Sequence, residues 1–442
     1  AGTDDAGTSD AGTDDAGITD AGTTDAGTTD AGTTDAGPLD AGILDAGELV
    51  VVVATPDAGS YYTGIIDLAV VGDRIVTLSN PRYGTRNIAT LSRFLADGRI
   101  DTTFGTNGFS VLDPASGQTV NGVGLEVDGS GRLVVGGLFV GFGSVTSFGA
   151  IRTDGNGVLD ASFGTGGFVT HSFGGLSEEC SVMMVEPDGD VLVGGSYGVA
   201  GSPGPDQWAI VRFTSSGLLD TSFGAAGALL IEIRAPGANG VGQVEELHPL
   251  SNGSFLAAGR FVNFDANAGS HLALLARFNA DGTFDSTFGT SGRVDLTNLE
   301  GAALAQSLAV QSTGRIIPWV TQLGLMAFTA QGASDSTWGT SGTATLGRLP
   351  ATIAVGPGDL VYALGTGQAT ATGRPAYLAR RLANGAADTA FGAKTLGLNL
   401  LGQSGDVSVS AIGFLPDGRI VVGGLATPAS SAPGLFLAFF MP

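Results

Sequence analysis

The chain has 442 residues, of which 74 are Gly, only 14% are charged, and the formal net charge is −23. A chain this acidic is excluded as a nucleic-acid binder, which needs a basic footprint on phosphate, and an anionic membrane surface is disfavoured for the same reason. A single cysteine, Cys180, excludes an intramolecular disulfide, and the lack of any run of 18 apolar residues excludes a transmembrane helix.

Residues 1–37 repeat a pentad: AGTDD, AGTSD, AGTDD, AGITD, then AGTTD three times. A period of five matches neither the 3.6 of a helix nor the 2 of a strand, so no continuous apolar face can form. Composition predicts an extended, solvated arm, kept apart by nine Asp. At about 3.1 Å per residue it reaches on the order of 100 Å. A second expectation is an arm ordered from outside. Either O-linked sugar on Thr3, Thr8, Thr13, Thr23, Thr24, Thr28, Thr29, Thr33 and Thr34 or a neighbouring subunit would do this. Residue 1 is Ala rather than Met, and the expectation is that a natural start, with a signal peptide, has been removed.

Composition shifts at Pro38, and Leu49, Val50, Val51, Val52 and Val53 open the first apolar strand. A junction motif, Asp-x-x-Phe-Gly, then recurs at Asp101, Asp160, Asp220, Asp285, Asp335 (with Trp338 for Phe) and Asp388. Its period of 50–65 residues marks an array of supersecondary units. Residues 120–170 show one unit. Strands VNGVGLEVD, GRLVVGGLF, FGAIRTD and GFVTHSF are joined by Gly/Asp turns, the signature of hairpins. Four short antiparallel strands at this period make a propeller blade.

Segments similar to DGRIVVGG and to LARFNADG each occur seven times, whereas the junction is clear six times. The chain stops at FLAFFMP, after the third strand of its last unit. Asp40, Ile43 and Gly47 keep the junction's spacing at the other end of the sequence. The expected fold is therefore all-β: a seven-bladed propeller over 38–442. Its last blade is completed by the strand from Leu49, either the chain's own or a neighbour's. Exchange with a neighbour is heterologous and propagates into a filament.

Arg93, Arg152, Arg212, Arg277 and Arg380 each stand eight residues before Asp101, Asp160, Asp220, Asp285 and Asp388. This constant spacing predicts one repeated Arg–carboxylate pair per unit, structural in role. The fifth unit has Ala327 instead, so Asp335 is expected to use backbone donors. His171, His248 and His271 show no zinc spacing and are expected in different blades. Glu246 and His248 can share a strand face and are expected at a solvated edge, and Cys180 is expected in the core. No catalytic residue, cofactor or metal is expected. Ligand contacts, if present, are expected in the variable loops 197–207, 261–271, 365–376 and 425–434.

The stretches DGTFDSTFGTSGRV (281–294) and PDGRIVVGG (416–424) resemble the delta-60 repeat of bacterial surface and secreted proteins. The resemblance covers about residues 40–442 and implies a β-propeller without assigned activity, outside the bacterial cell. Two functions are expected. The first is a non-enzymatic structural protein that self-associates into a fibre or surface assembly through its arm and first strand. The alternative is a surface-tethered propeller that binds a glycan or a protein.

Overall fold

The computed structural model describes residues 40–43, 49–53, 64–114, 117–174, 177–198, 207–232, 240–263, 271–296, 305–321, 323–346, 350–398, 403–430 and 433–442. The arm at 1–37, with its threonines, and most of the loops 197–207 and 261–271 lie outside the described residues. The chain divides into residues 1–35 and a unit spanning 36–442. Among the described residues no helix is long and apolar enough to cross a membrane.

The second unit is a seven-bladed β-propeller of antiparallel strands. Blade 1 runs Asp67–Val71, Arg74–Ser79, Thr90–Phe94 and Phe109–Val111. Blade 2 runs Thr119–Val127, Leu133–Val140, Thr146–Thr153 and Phe168–His171. Blades 3 to 6 repeat the order from the inner strands Ser177–Val185, Gly240–Pro249, Ala305–Val310 and Thr352–Gly356. Blade 7 places Gly405–Phe414 innermost, then Ile420–Pro428 and Gly434–Phe440.

Each inner strand packs on the inner strand of the next blade, round to Gly405–Phe414 against Asp67–Val71. Five of these inner strands carry a register shift near mid-strand, as between Cys180 and Val182 and between Val244 and Glu246. A bulge at this point bends the strand and re-aims the residues that follow it. Buried side chains form seven clusters, one at each blade–blade interface. The cluster that closes the ring joins Leu68, Ile75 and Phe94 of blade 1 to Val421, Leu437 and Phe439 of blade 7.

The ring closes with the chain's own first strand. Leu49–Val53 pairs antiparallel with Gly434–Phe440, Val51 opposite Leu437. One expectation about this region is corrected. Asp40–Ile43 is not a seventh junction but a strand, paired with Leu49–Val53 from Asp40↔Val52 to Ile43↔Leu49. Blade 7 therefore has five strands. The spacing of Asp40, Ile43 and Gly47 imitates a junction, but backbone pairing along a strand of four β-branched valines offers more hydrogen bonds than an isolated turn.

Candidate functional site

The five Arg–Asp pairs share one geometry. Each Arg Nε donates to the junction carboxylate, at 2.9 Å for Arg93–Asp101 and Arg152–Asp160, 2.7 Å for Arg212–Asp220 and Arg380–Asp388, and 2.8 Å for Arg277–Asp285. The same guanidinium lies over the junction ring, 4.2 Å from the Phe391 centroid and 4.5 Å from those of Phe163 and Phe223. In four blades it also reaches a carbonyl of the following blade: Gly155, Ser215, Ala280 or Ala330. The junction Gly N–H donates to the next carbonyl of that turn, as Gly105 does to Asn156 at 3.0 Å and Gly224 to Asp281 at 2.9 Å. In these four blades the motif thus ties one blade to the next, through charge-assisted bonds that are mostly shielded from water, whereas the Gly392 N–H stays within its own motif on Asp388.

The Ser or Thr two residues after the junction Asp completes the carboxylate's shell. Ser162 Oγ donates to Asp160 at 2.5 Å and Thr287 Oγ1 to Asp285 at 2.6 Å. These hydroxyl bonds, followed by backbone N–H bonds and the Arg charge, hold both carboxyls below the usual carboxylate range. The hydroxyl is visible in the sequence, where DTTFG, DASFG, DTSFG, DSTFG and DSTWG all carry it.

Blade 5 departs from the expectation of backbone donors alone. Arg315, at the start of the second strand, donates to Asp335 at 2.7 Å. Trp338 Nε1 donates to the Ala383 carbonyl at 3.1 Å, the acceptor that an Arg at position 327 would have met. Trp for Phe and Ala for Arg are therefore one coupled exchange. Arg132 already approaches Asp160 at 3.5 Å from the corresponding position in blade 2.

A second group of side chains converges on the axis. Asp67, Glu126 and Glu246 stand on the inner strands of blades 1, 2 and 4, and each accepts a backbone N–H from the next blade. Leu125 donates to Asp67 at 2.8 Å, Val185 to Glu126 at 2.9 Å, and Leu308 to Glu246. Burial pushes Asp67 up to about 6 against its backbone bonds. Burial, with the Asp67 charge in support, pushes Glu126 to about 7, and burial plus both neighbouring charges pushes Glu246 to about 8. Three half-buried carboxyls that feel one another's charge cannot all ionise cheaply, so the group retains protons near neutrality.

Glu246 is thus half-buried at the axis rather than on a fully solvated edge. The bulge separates it from Glu245, which pairs with Arg260 at 2.6 Å. His248 follows two residues later in the same strand, its pKa lowered by burial. His248 and His271 lie in one blade, not in different blades. Cys180 is half-buried on the inner strand of blade 3, and burial pushes its thiol up. On the turn after that strand, Glu186, Asp188 and Asp190 bring oxygens within 4.8 Å of one another, beside Arg212 at 3.5 Å from Glu186.

Against known families, residues 129–163, 186–223 and 250–288 match a family described as "Domain of unknown function (DUF5122) beta-propeller". No curated protein matches the chain. Among solved structures, the chain is similar to the polysaccharide lyase Uly1 at 10% identity and a TM-score of 0.47, over 88% of this chain and 91% of that one. It is similar to a protein of unknown function from Dyadobacter fermentans at 11% identity and a TM-score of 0.45, over 88% and 97%. YCF48 from Cyanidioschyzon merolae gives 13% identity and a TM-score of 0.45, over 89% and 99%. Values this low bear on neither activity nor ligand.

Proposed function

We propose that the protein is a non-enzymatic binding module: a self-closed propeller displayed outside a bacterial cell, with residues 1–37 as its tether. The observation that carries this reading is the pairing of Leu49–Val53 with Gly434–Phe440 of the same chain. A ring closed by its own strand needs no neighbour to complete it. The Arg–carboxylate pairs, four of which join two blades, supply the rigidity a binding scaffold needs.

A second reading, a fibre or surface-layer subunit, is favoured by one feature. The closing hairpin meets the sheet along one strand edge, whose register a neighbour could equally satisfy. Electron microscopy of the full chain beside a version lacking residues 1–37 separates the two. Single discs in both samples are expected. Filaments in either sample would overturn the binding-module reading and establish assembly, through the arm if they need residues 1–37 and through the hairpin if they do not.

A further inference from the structure

Blade 1 carries hydroxyls where its sister blades carry hydrocarbon. Ser92 stands in register with Ile151, Val211 and Ala276, each one residue before the paired Arg. Ser110 stands in register with Val169, Leu229 and Val294, each two residues after the Gly that opens the outer strand. Thr77 likewise stands where Val135, Val193 and Ala257 stand, Ser79 and Thr90 add hydroxyls where blade 2 has Gly137 and Gly149, and all five hydroxyl residues are buried. Ser92 is 0% exposed and its Oγ has no hydrogen-bond partner. A buried hydroxyl without a partner lowers stability, so packing alone does not account for it.

Four of these residues, all but Thr77, line a cleft of about 620 Å³ between blade 1 and the turn of blade 2 at Gly157–Val158. Ser79, Thr90, Ser92 and Ser110 form its wall, and Thr106 and Asn107 lie at its exposed end. The short hairpin Arg82–Tyr83/Arg86–Asn87 brings Tyr83 to its lining, where Pro81, Phe109, Val111 and Val158 add apolar surface. Among the described residues no charged side chain lines it. In blade 4 the corresponding groove is walled by Leu272, Leu274 and Val294 and admits Arg293 and Asp295.

We infer that the cleft between blades 1 and 2 is a binding site for a neutral oligosaccharide. The Ser79, Thr90 and Ser110 hydroxyls donate to the carbonyls of Thr90, Ile88 and Gly157 and so offer a ligand their lone pairs, whereas the Ser92 hydroxyl and the Asn107 amide can both donate and accept, which matches a ligand whose own groups do both. The absence of charge on the wall disfavours an anionic or cationic ligand. An aromatic ring beside small hydroxyls suits a sugar, which offers an apolar C–H face and a hydroxyl edge. The volume lies within the range of small-molecule sites. This inference deepens the binding-module reading and rests on it.

The test is titration of the full chain with defined neutral oligosaccharides of two to six units, first as an array and then by calorimetry. Ser92→Ala and Tyr83→Ala are compared with the native chain. Ala276 occupies the Ser92 position in blade 4, so Ser92→Ala is expected to fold with an unchanged or raised thermal midpoint. Support is binding by the native chain that each variant weakens by about fivefold or more, the loss of one good contact. Binding that neither variant alters would overturn the assignment of this cleft while leaving a binding module. No binding by the native chain at about 10 mM would overturn the saccharide class. Single discs in the microscope would then still uphold the binding-module reading, so the two failures remain separable.

Discussion

Arg152→Ala tests whether the repeated Arg holds blade to blade. Its side chain is 2% exposed and satisfies three groups at once. Nε lies 2.9 Å from Asp160, a terminal nitrogen donates to the Ser215 carbonyl of blade 3, and the cation sits 4.5 Å over Phe163. Truncation leaves the carbonyl without its charged donor, at about 1–3 kcal/mol, and removes a cation–ring contact of about 1 kcal/mol. Arg132 and Ser162 still hold Asp160, so the full penalty of an abandoned charge does not apply. The expected loss is about 3 kcal/mol, read from urea or calorimetric unfolding. Blade 5 supplies the second half of the experiment. There Ala327 coexists with Trp338, whose indole N–H reaches the Ala383 carbonyl. Arg152→Ala combined with Phe163→Trp should recover about 1 kcal/mol or more, whereas Phe163→Trp alone should destabilise by overpacking. A single-variant loss below about 1 kcal/mol, or a double variant no more stable than Arg152→Ala, would refute this account.

Three further outcomes are expected. Asp67, Glu126 and Glu246 have raised folded pKa values, so the folded chain binds more protons than the unfolded one, and their stabilising protonation is lost as pH rises through about 6, 7 and 8. For Glu126 alone this is about 3 kcal/mol. The junction aspartates act in the opposite sense, losing their contribution as pH falls below the ordinary carboxylate range. The thermal midpoint should therefore peak near pH 5 and fall towards pH 9, with a shallower fall in Glu126→Gln; a midpoint that rises over this range contradicts it. Gly157→Ala should cost about 2 kcal/mol in urea unfolding, because its φ is +81° and a Cβ would sit 2.6 Å from the Phe104 ring; an unchanged midpoint would contradict the packing described. Cys180 should react with a thiol reagent at neutral pH far more slowly in the native chain than in the urea-unfolded one, and equal rates would show that its thiol is not shielded.

The blades were legible because their determinants are local. Period, Gly/Asp turns and the fixed Arg-to-Asp spacing all lie within one unit, and the hairpins follow from alternation. The axial carboxyls were not. Asp67, Glu126 and Glu246 are far apart in sequence, and only ring closure, with an inner-strand bulge setting the face, brings them together. Glu246 in isolation looks like a solvated residue. Asp335 was misread because its partner Arg315 comes from another strand, twenty residues away, rather than at the usual eight. Ser92 and Ser110 are ordinary strand residues by themselves. They gain meaning only in register with Ile151 and Val169, which the pairing of strands fixes.

The central claim is that one chain closes its own ring, and a pair of cysteines tests it most directly. Val51→Cys with Leu437→Cys places two thiols on directly opposed residues of the closing strands. Oxidation of the purified chain, followed by non-reducing electrophoresis, should give a single cross-linked monomer. A ladder of dimers and higher species that collapses on reduction would show that the first strand completes a neighbour's ring instead.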